Sequence, residues 1–238
     1  MEISAKGIPF KELNELIRSC GEHSVVVTDA TGERFLACGL SDKSIKVYGT
    51  PGNALASYLD GAEIEVFGNA QDAVGDTMND GEVIIHGNAG DALGYAMRGG
   101  RIFVEGDAGY RCGVHIKEYE EKKPVVIIGG TAGSFLGEYM AGGIIVVLNK
   151  NDAHSAVGNF TGVGMHGGKI FIRGSLNAVL PPQVKCEKAS QSNIEAIKGH
   201  LAAYAKAFSL DENGLLQDEY FVLTPDSTNP YKRLYTVN

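Results

Sequence analysis

Residues 45 to 174 repeat one pattern seven times, and that periodicity constrains the fold more than any other feature of the chain. Each unit begins with an apolar-x-apolar strand: Ile45/Val47, Ile64/Val66, Val83/Ile85, Ile102/Val104, Val126/Ile128, Ile145/Val147 and Ile170/Ile172. Two residues later comes a small or turn-forming residue: Gly49, Gly68, Gly87, Gly106, Gly130, Asn149 and Gly174. These closing positions are spaced by 19, 19, 19, 24, 19 and 25 residues, so two of the steps carry surface insertions. Seven residues past the closing position stand Ala56, Gly75, Gly94, Gly113, Gly137 and Ala156, and three further on Leu59, Met78, Met97, Ile116 and Met140.

Alternating apolar and polar residues mark strands with one buried face. Glycines at fixed offsets mark corners that need positive φ or a close backbone approach. A unit of 19 residues is too short for a helical-hairpin repeat and lacks the leucine-rich consensus. The expected fold is an all-β solenoid, a right-handed parallel β-helix of about seven coils. With about 4.8 Å per strand it would stand about 30 Å tall. A small N-terminal α/β cap and a C-terminal helix complete the expectation, dividing the chain into 1–44, 45–180 and 181–238.

The stretches GNAQDAVGDTMNDG (68–81), GNAGDALGYAMRGG (87–100), GGTAGSFLGEYMAGG (129–143) and GVGMHGG (162–168) resemble the GXGXG domain of the glutamate synthase large subunit. The resemblance covers the whole repeat block, and the flanks suit a free-standing form of that domain. Several Gly-x-x-Gly-x-x-Met-x-x-Gly-Gly units in register make the resemblance specific.

Composition narrows the function classes. The formal net charge of −8 argues against nucleic acid and anionic membranes, which select basic patches. No apolar run approaches the roughly 20 residues of a membrane span, and Met1 to Lys11 carry no signal-peptide pattern. The four cysteines, Cys20, Cys38, Cys112 and Cys186, form no C-x-x-C pair and read as reduced thiols of a cytoplasmic protein.

In the flanks, Phe10, Leu13, Leu16 and Ile17 have helical spacing before Gly21. Val25–Val27 and Arg34–Cys38, joined by Asp29–Gly32, read as a hairpin. Pro181-Pro182 ends the array. Residues 190–208 read as a helix with Ser192 as N-cap, Glu195 at capping-box spacing, and a stripe of Ile194, Ile197, Leu201, Tyr204 and Phe208. A turn at Asp211–Gly214, a strand at Tyr220–Leu223 and a mobile end to the tail complete the reading.

Several groups could carry chemistry, and each has a bland alternative. Gly162-Val-Gly164-Met-His-Gly167 matches the dinucleotide motif in letters, but without the strand before and helix after that phosphate binding needs. Gly129–Gly133 resembles a phosphate loop in composition only, lacking its Gly-Lys-Ser/Thr ending. None of His23, His86, His115, His154, His166 and His200 has a metal-binding spacing, although stacked units would bring His86 near Glu105 or Phe67. Arg111 beside Cys112 is the arrangement that lowers a thiol pKa, but no base accompanies it. The insertions at Lys117–Pro124 and Asn151–Gly164 are solvated loops or docking elements, the second the stronger candidate for contact.

The sequence thus names no catalytic, cofactor-binding or metal-binding residue. Glutamate synthases couple a glutaminase domain with an N-terminal cysteine to a synthase domain carrying FMN and an iron–sulfur cluster. This chain begins Met1-Glu2 and has no cysteine cluster. The resemblance therefore implies a non-catalytic structural subunit of a split glutamate synthase, an oxidoreductase that makes glutamate from glutamine and 2-oxoglutarate. The chain itself holds no cofactor on this reading. FMN and the iron–sulfur cluster are expected in the glutaminase and synthase partner subunits, and a homo-oligomer is left open. The alternative is a β-helix of the same type, the C component of a formylmethanofuran dehydrogenase complex.

Overall fold

A computed structural model describes residues 1–227. The expected mobility of the tail concerns residues 228–238, which lie outside the described residues. The strands are β1 (Glu2–Ser4), β2 (Ser24–Thr31), β3 (Ser44–Thr50), β4 (Asp60–Phe67), β5 (Asp80–Ile85), β6 (Arg101–Val104), β7 (Val125–Ile128), β8 (Ala141–Val147), β9 (Gly167–Arg173), β10 (Val184–Lys188) and β11 (Tyr220–Pro225). The helices are α1 (Phe10–Ser19), α2 (Gln191–Ala207) and α3 (Glu212–Leu216).

The all-β solenoid expectation, with about seven coils between two caps, is corrected by this topology. The strands form a single 11-stranded sheet in the order β1-β2-β3-β4-β5-β6-β7-β8-β9-β11-β10, mostly parallel and accompanied by helices, an α/β-like arrangement. The flanking strands are why. β1 and β2 extend the parallel ladder by ordinary pairing, Glu2 to Val26 and Val25 to Ile45. At the far end β11 pairs antiparallel with both β9 and β10. The flanks therefore continue the sheet and leave the short β1 and β10 as its edges.

Register follows the repeat. Ile45 pairs with Ile64, Ile64 with Val83, Val83 with Ile102, Ile102 with Val126, Val126 with Ile145 and Ile145 with Ile170. Both members of every apolar pair enter one core, joined by Leu59, Met78, Met97, Ile116, Met140 and Met165. Burial of each such side chain contributes about 1.5–3 kcal/mol as an upper figure.

The expected N-terminal hairpin does not form. β2 runs through Thr31 with a bulge between Val27 and Ala30, and Phe35–Gly39 make a corner like those downstream. Val25 and Val27 thus begin one more unit of the repeat, which Ala30 hides by standing opposite Gly49. Helix α1 closes the core at this end with Leu13 and Ile17.

Helix α2 is capped two residues earlier than expected, because Ser190 rather than Ser192 accepts the Asn193 N–H, at 3.3 Å. Its stripe lies on the outer face of the sheet. Ile197, Leu201 and Tyr204 cover Phe103, Val125, Ile127, Val146 and Phe171 in a second core. The Tyr204 hydroxyl donates to the Val104 carbonyl at 3.1 Å, tying the helix to β6. Where a turn was expected, Asp211 caps the short α3 through the N–H groups of Asn213 and Gly214.

Two columns of side chains run up the corners. Asn69 Oδ1 accepts from the N–H of Asn88, Asn88 Oδ1 from Asp107 and Asp107 Oδ1 from Thr131, at 2.6–2.8 Å. Asp72 and Asp91 do the same for Asp91 and Tyr110. Each acceptor occupies the space where a Cβ would stand on a glycine of the next unit, and Gly106 is one such position, over Asn88 Oδ1. Gly199, on the exposed side of α2, has open space instead. Gly106→Ala should therefore cost about 1–3 kcal/mol through overpacking and about 1 kcal/mol for a disturbed hydrogen bond. Gly199→Ala should stabilise by about 0.5–1 kcal/mol through helix propensity. Denaturant melts of the two variants check this, and equal midpoints would contradict the column assignment.

Candidate functional site

A parallel register sets residues at equal repeat offsets one strand apart, about 4.8 Å. The position just before the closing residue gives Tyr48, Phe67, His86 and Glu105. Tyr48 stacks on Phe67 with centroids 4.7 Å apart, and Phe67 on His86 at 4.8 Å. Phe208, just past α2, meets the His86 ring edge-on at 5.2 Å. His86 Nε2 lies 3.0 Å from Glu65 Oε1 and Nδ1 lies 3.7 Å from Glu105 Oε2, while Lys46 Nζ is 3.3 Å from Glu65. Burial pushes the Glu65 carboxyl up, but hydrogen bonds from His86 and Lys46 outweigh it and hold the pKa below the usual value. The carboxylate–imidazole pair thus links β4 to the end of β5, and the His86 ring lies between Phe67 and Phe208.

The other sequence candidates fall in separate places. Gly162 and Gly164 both have positive φ in a corner leading into β9, so the phosphate-binding geometry is not formed. Gly129 and Gly130 follow β7, where a Cβ on Gly129 would overlap the Glu105 carbonyl and the Tyr204 hydroxyl. They serve close packing. Cys112 is fully buried, and burial pushes its thiol up to about 12. Arg111 does not activate it: its guanidinium lies over the Phe135 ring at 5.3 Å and reaches Glu138 at 3.5 Å.

Among the described residues no group of three or more His, Cys, Asp or Glu side chains comes together to hold a metal, so the dispersed cysteines do not fit a cluster. No described helix is long and apolar enough to cross a membrane.

What the stacking does assemble is surface. Phe135 stacks on Phe160 at 5.1 Å, His115 on Tyr139 at 5.2 Å, and Tyr95 meets His115 edge-on at 5.9 Å. Tyr95, Tyr110, Tyr139 and Phe160 remain largely exposed, and the ridge they form includes the insertion Asn151–Gly164 through Phe160. Exposed aromatics beside an arginine are the composition of protein interfaces. The equal offsets of Arg111 and Phe135 carried this signal in the sequence, although the ridge was not read from it.

A cleft of about 360 Å³ lies between α2 and the starts of β4–β6, lined by Glu63, Asp80, Glu82, Arg101, Lys123 and His200 among others. Its charges are largely self-paired: Arg101 with Glu82, and Lys122 with Asp80 at 3.0 Å. Sequence reasoning missed this cleft because its residues come from four strands, an insertion and a distant helix.

The lowered pKa of Glu65 sets a pH dependence. A depressed folded-state value adds stability above the unfolded carboxylate pKa, about 4.3, and that stability is lost as pH falls through the folded value. Glu65→Gln should lower the melting temperature at pH 7, and its gap from the parent chain should close as the pH drops below about 4. A gap unchanged down to pH 3 would show that the Glu65 charge contributes nothing.

Comparison with known proteins follows the repeat. The GXGXG motif family model matches residues 11–224. A Methanocaldococcus jannaschii protein, "Uncharacterized protein MJ1350", is 41% identical over 249 residues, covering 98% of this chain and 95% of that protein. A chain from the crystal structure of the formyltransferase/hydrolase complex (FhcABCD) from Methylorubrum extorquens with methylofuran has a similar fold. Its TM-score is 0.69 at 21% identity, over 94% of this chain and 91% of that one. The match to nearly the whole described chain settles the family: this protein belongs to the GXGXG motif family, the domain found in the glutamate synthase large subunit.

Proposed function

We propose that this chain is a non-catalytic structural subunit of a multi-subunit enzyme, of the kind represented by the repeat-bearing C component of formylmethanofuran dehydrogenase. The observation that carries this reading is the fold likeness to a chain of the formyltransferase/hydrolase complex. Two features of the molecule agree with it. Its titratable pairs are spent on internal anchoring, as Glu65–His86 and Arg101–Glu82 are. Its regular surface is interrupted by an aromatic ridge suited to a partner. A continuous sheet with two cores is stiff, and stiffness serves to hold other chains in fixed relation.

A second reading is a split glutamate synthase, favoured by the family itself and by the GVGMHGG form of residues 162–168. There the chain would brace glutaminase and synthase subunits, with FMN and the iron–sulfur cluster in those partners. In both readings the reaction and its cofactors belong to other chains.

Affinity purification of the tagged chain from its own cells, followed by gel filtration and mass spectrometry, separates the readings. Stoichiometric chains of a formyl-transferring or formylmethanofuran-oxidising enzyme are expected. Glutaminase and FMN-containing synthase chains would replace the first reading with the second, and a chain that migrates alone would overturn both. Shortening the Asn151–Gly164 insertion should weaken the complex about tenfold or more by removing a buried aromatic contact, while the isolated chain keeps its circular dichroism spectrum. Purified alone, the chain should show no flavin absorbance and no glutamine hydrolysis. Stoichiometric flavin in the isolated chain would contradict the structural role.

A further inference from the structure

The insertion at Lys117–Pro124 folds back as a small hairpin. Tyr119 and Lys122 exchange backbone hydrogen bonds at 3.0 and 3.1 Å. The hairpin lies directly on the preceding unit, where Lys122 Cβ would approach within 3.0 Å of a Cβ built on Gly99. Between hairpin and sheet opens a cleft of about 420 Å³ lined by Asp60, Asn79, Arg98, Tyr119, Glu120 and Lys122.

Asp60, Asn79 and Arg98 hold one repeat offset in successive units, and Lys117 takes the next place in that column. Their N–H groups step up the stack accordingly, from Asn79 to Leu59 O, from Arg98 to Met78 O and from Lys117 to Met97 O.

The charges of this cleft are unequally satisfied. Lys122 is held by Asp80 at 3.0 Å and Asp60 at 3.6 Å. Arg98 has no carboxylate within ion-pair distance and no side-chain hydrogen bond among the described residues, and its Nε is shut off from solvent without an acceptor. The Asn79 amide and the Tyr119 hydroxyl have no side-chain partner among the described residues either. A buried guanidinium N–H without an acceptor is costly, and evolved structures rarely retain one. The Arg98 guanidinium, with the Asn79 amide and the exposed Tyr119 hydroxyl on the same cleft, suits a planar anionic acceptor, which a guanidinium fork matches in bidentate fashion.

We propose that this cleft binds a carboxylate group, held by the Arg98 guanidinium and oriented by Asn79 and Tyr119. Asp60 shares the Lys122 ammonium with Asp80, which offsets part of its charge and leaves the attraction to the Arg98 guanidinium. Glu120, exposed on the hairpin, lines the same cleft. The site is independent of the subunit assignment above.

The test titrates malonate into the full chain at constant ionic strength against sodium chloride, following the Arg98 Nε–H resonance in ¹⁵N-labelled protein. A saturable one-to-one shift with malonate, absent with chloride, is expected. Arg98→Gln should weaken malonate binding about tenfold or more, the scale of a lost charge-assisted hydrogen bond. Tyr119→Phe, on the surface hairpin, should weaken it severalfold without altering the fold and keeps the test valid if Arg98→Gln does not fold. A parallel titration with a blocked glutamate tetrapeptide identifies the source: tighter binding than malonate assigns the carboxylate to an acidic side chain, weaker binding to a small molecule. Both place a carboxylate on Arg98. A response no different from chloride, or one undiminished in both variants, would overturn the proposal.

Discussion

The structure depends on a corner in which every second residue is left-handed. Ala54, Ala56 and Tyr58 have φ of 65°, 60° and 57°, and the same alternation recurs at Phe35/Ala37/Gly39, Ala73/Gly75/Thr77, Ala92/Gly94/Ala96, Arg111/Gly113/His115, Phe135/Gly137/Tyr139 and Phe160/Gly162/Gly164. For a residue with a Cβ this conformation costs about 1–2 kcal/mol. It persists because the corners satisfy one another. The Ala54 N–H donates forward to Asp72 O, the Ala56 N–H backward to Leu36 O and the Tyr58 N–H forward again to Asp76 O. Neighbouring units thus over-determine a backbone that none could hold alone. A single unit is not a stable object.

From that constraint the rest follows. Corner residues cannot shift along the stack, so the strands they join must pair in a fixed parallel register, and every apolar pair meets its equivalent. Side chains at the outward offsets are equally fixed, which turns a chance neighbour into a column: an amide column at Asn69 and Asn88, a ring column at Tyr48, Phe67 and His86. The glycine content is a consequence too. At Gly106 no left-handed φ is involved, and the amide column above it excludes a Cβ.

Much of this was legible in the repeat, because a 19-residue period with paired apolar residues dictates both register and core. The strand pairs, α1, the stripe of α2 and the proximity of His86 to Phe67 and Glu105 are all local or periodic. What was not legible came from context. The first unit escaped because Ala30 and a bulge replace its closing glycine, and its corner looked like one arm of a hairpin. The sheet's continuation through β10 and β11 escaped because antiparallel pairing over about 50 residues of chain leaves no periodic trace. One overlooked signal was present: the middle residue of each strand changes from Lys46 and Glu65 to Ile84, Phe103, Ile127, Val146 and Phe171. That change marks where the outer face stops meeting water and α2 covers it.

A fold this regular places limits on where function can reside. The interior offsets are committed to packing and the corner offsets to backbone bonding, so a change at either is felt by two neighbouring units. Only outward positions and insertions are free to vary, and there the periodicity works in the opposite sense. An arginine among aspartate and asparagine, as Arg98 is above Asn79 and Asp60, inherits neighbours that the register chose for it. Its guanidinium can be left without a partner only if something outside the column compensates. The same argument applies to Phe135 and Phe160, which replace the alanines of earlier corners and stack on each other with Phe160 left exposed. In a repeat held together by the sameness of its units, the departures from sameness are where a partner or a ligand must be sought.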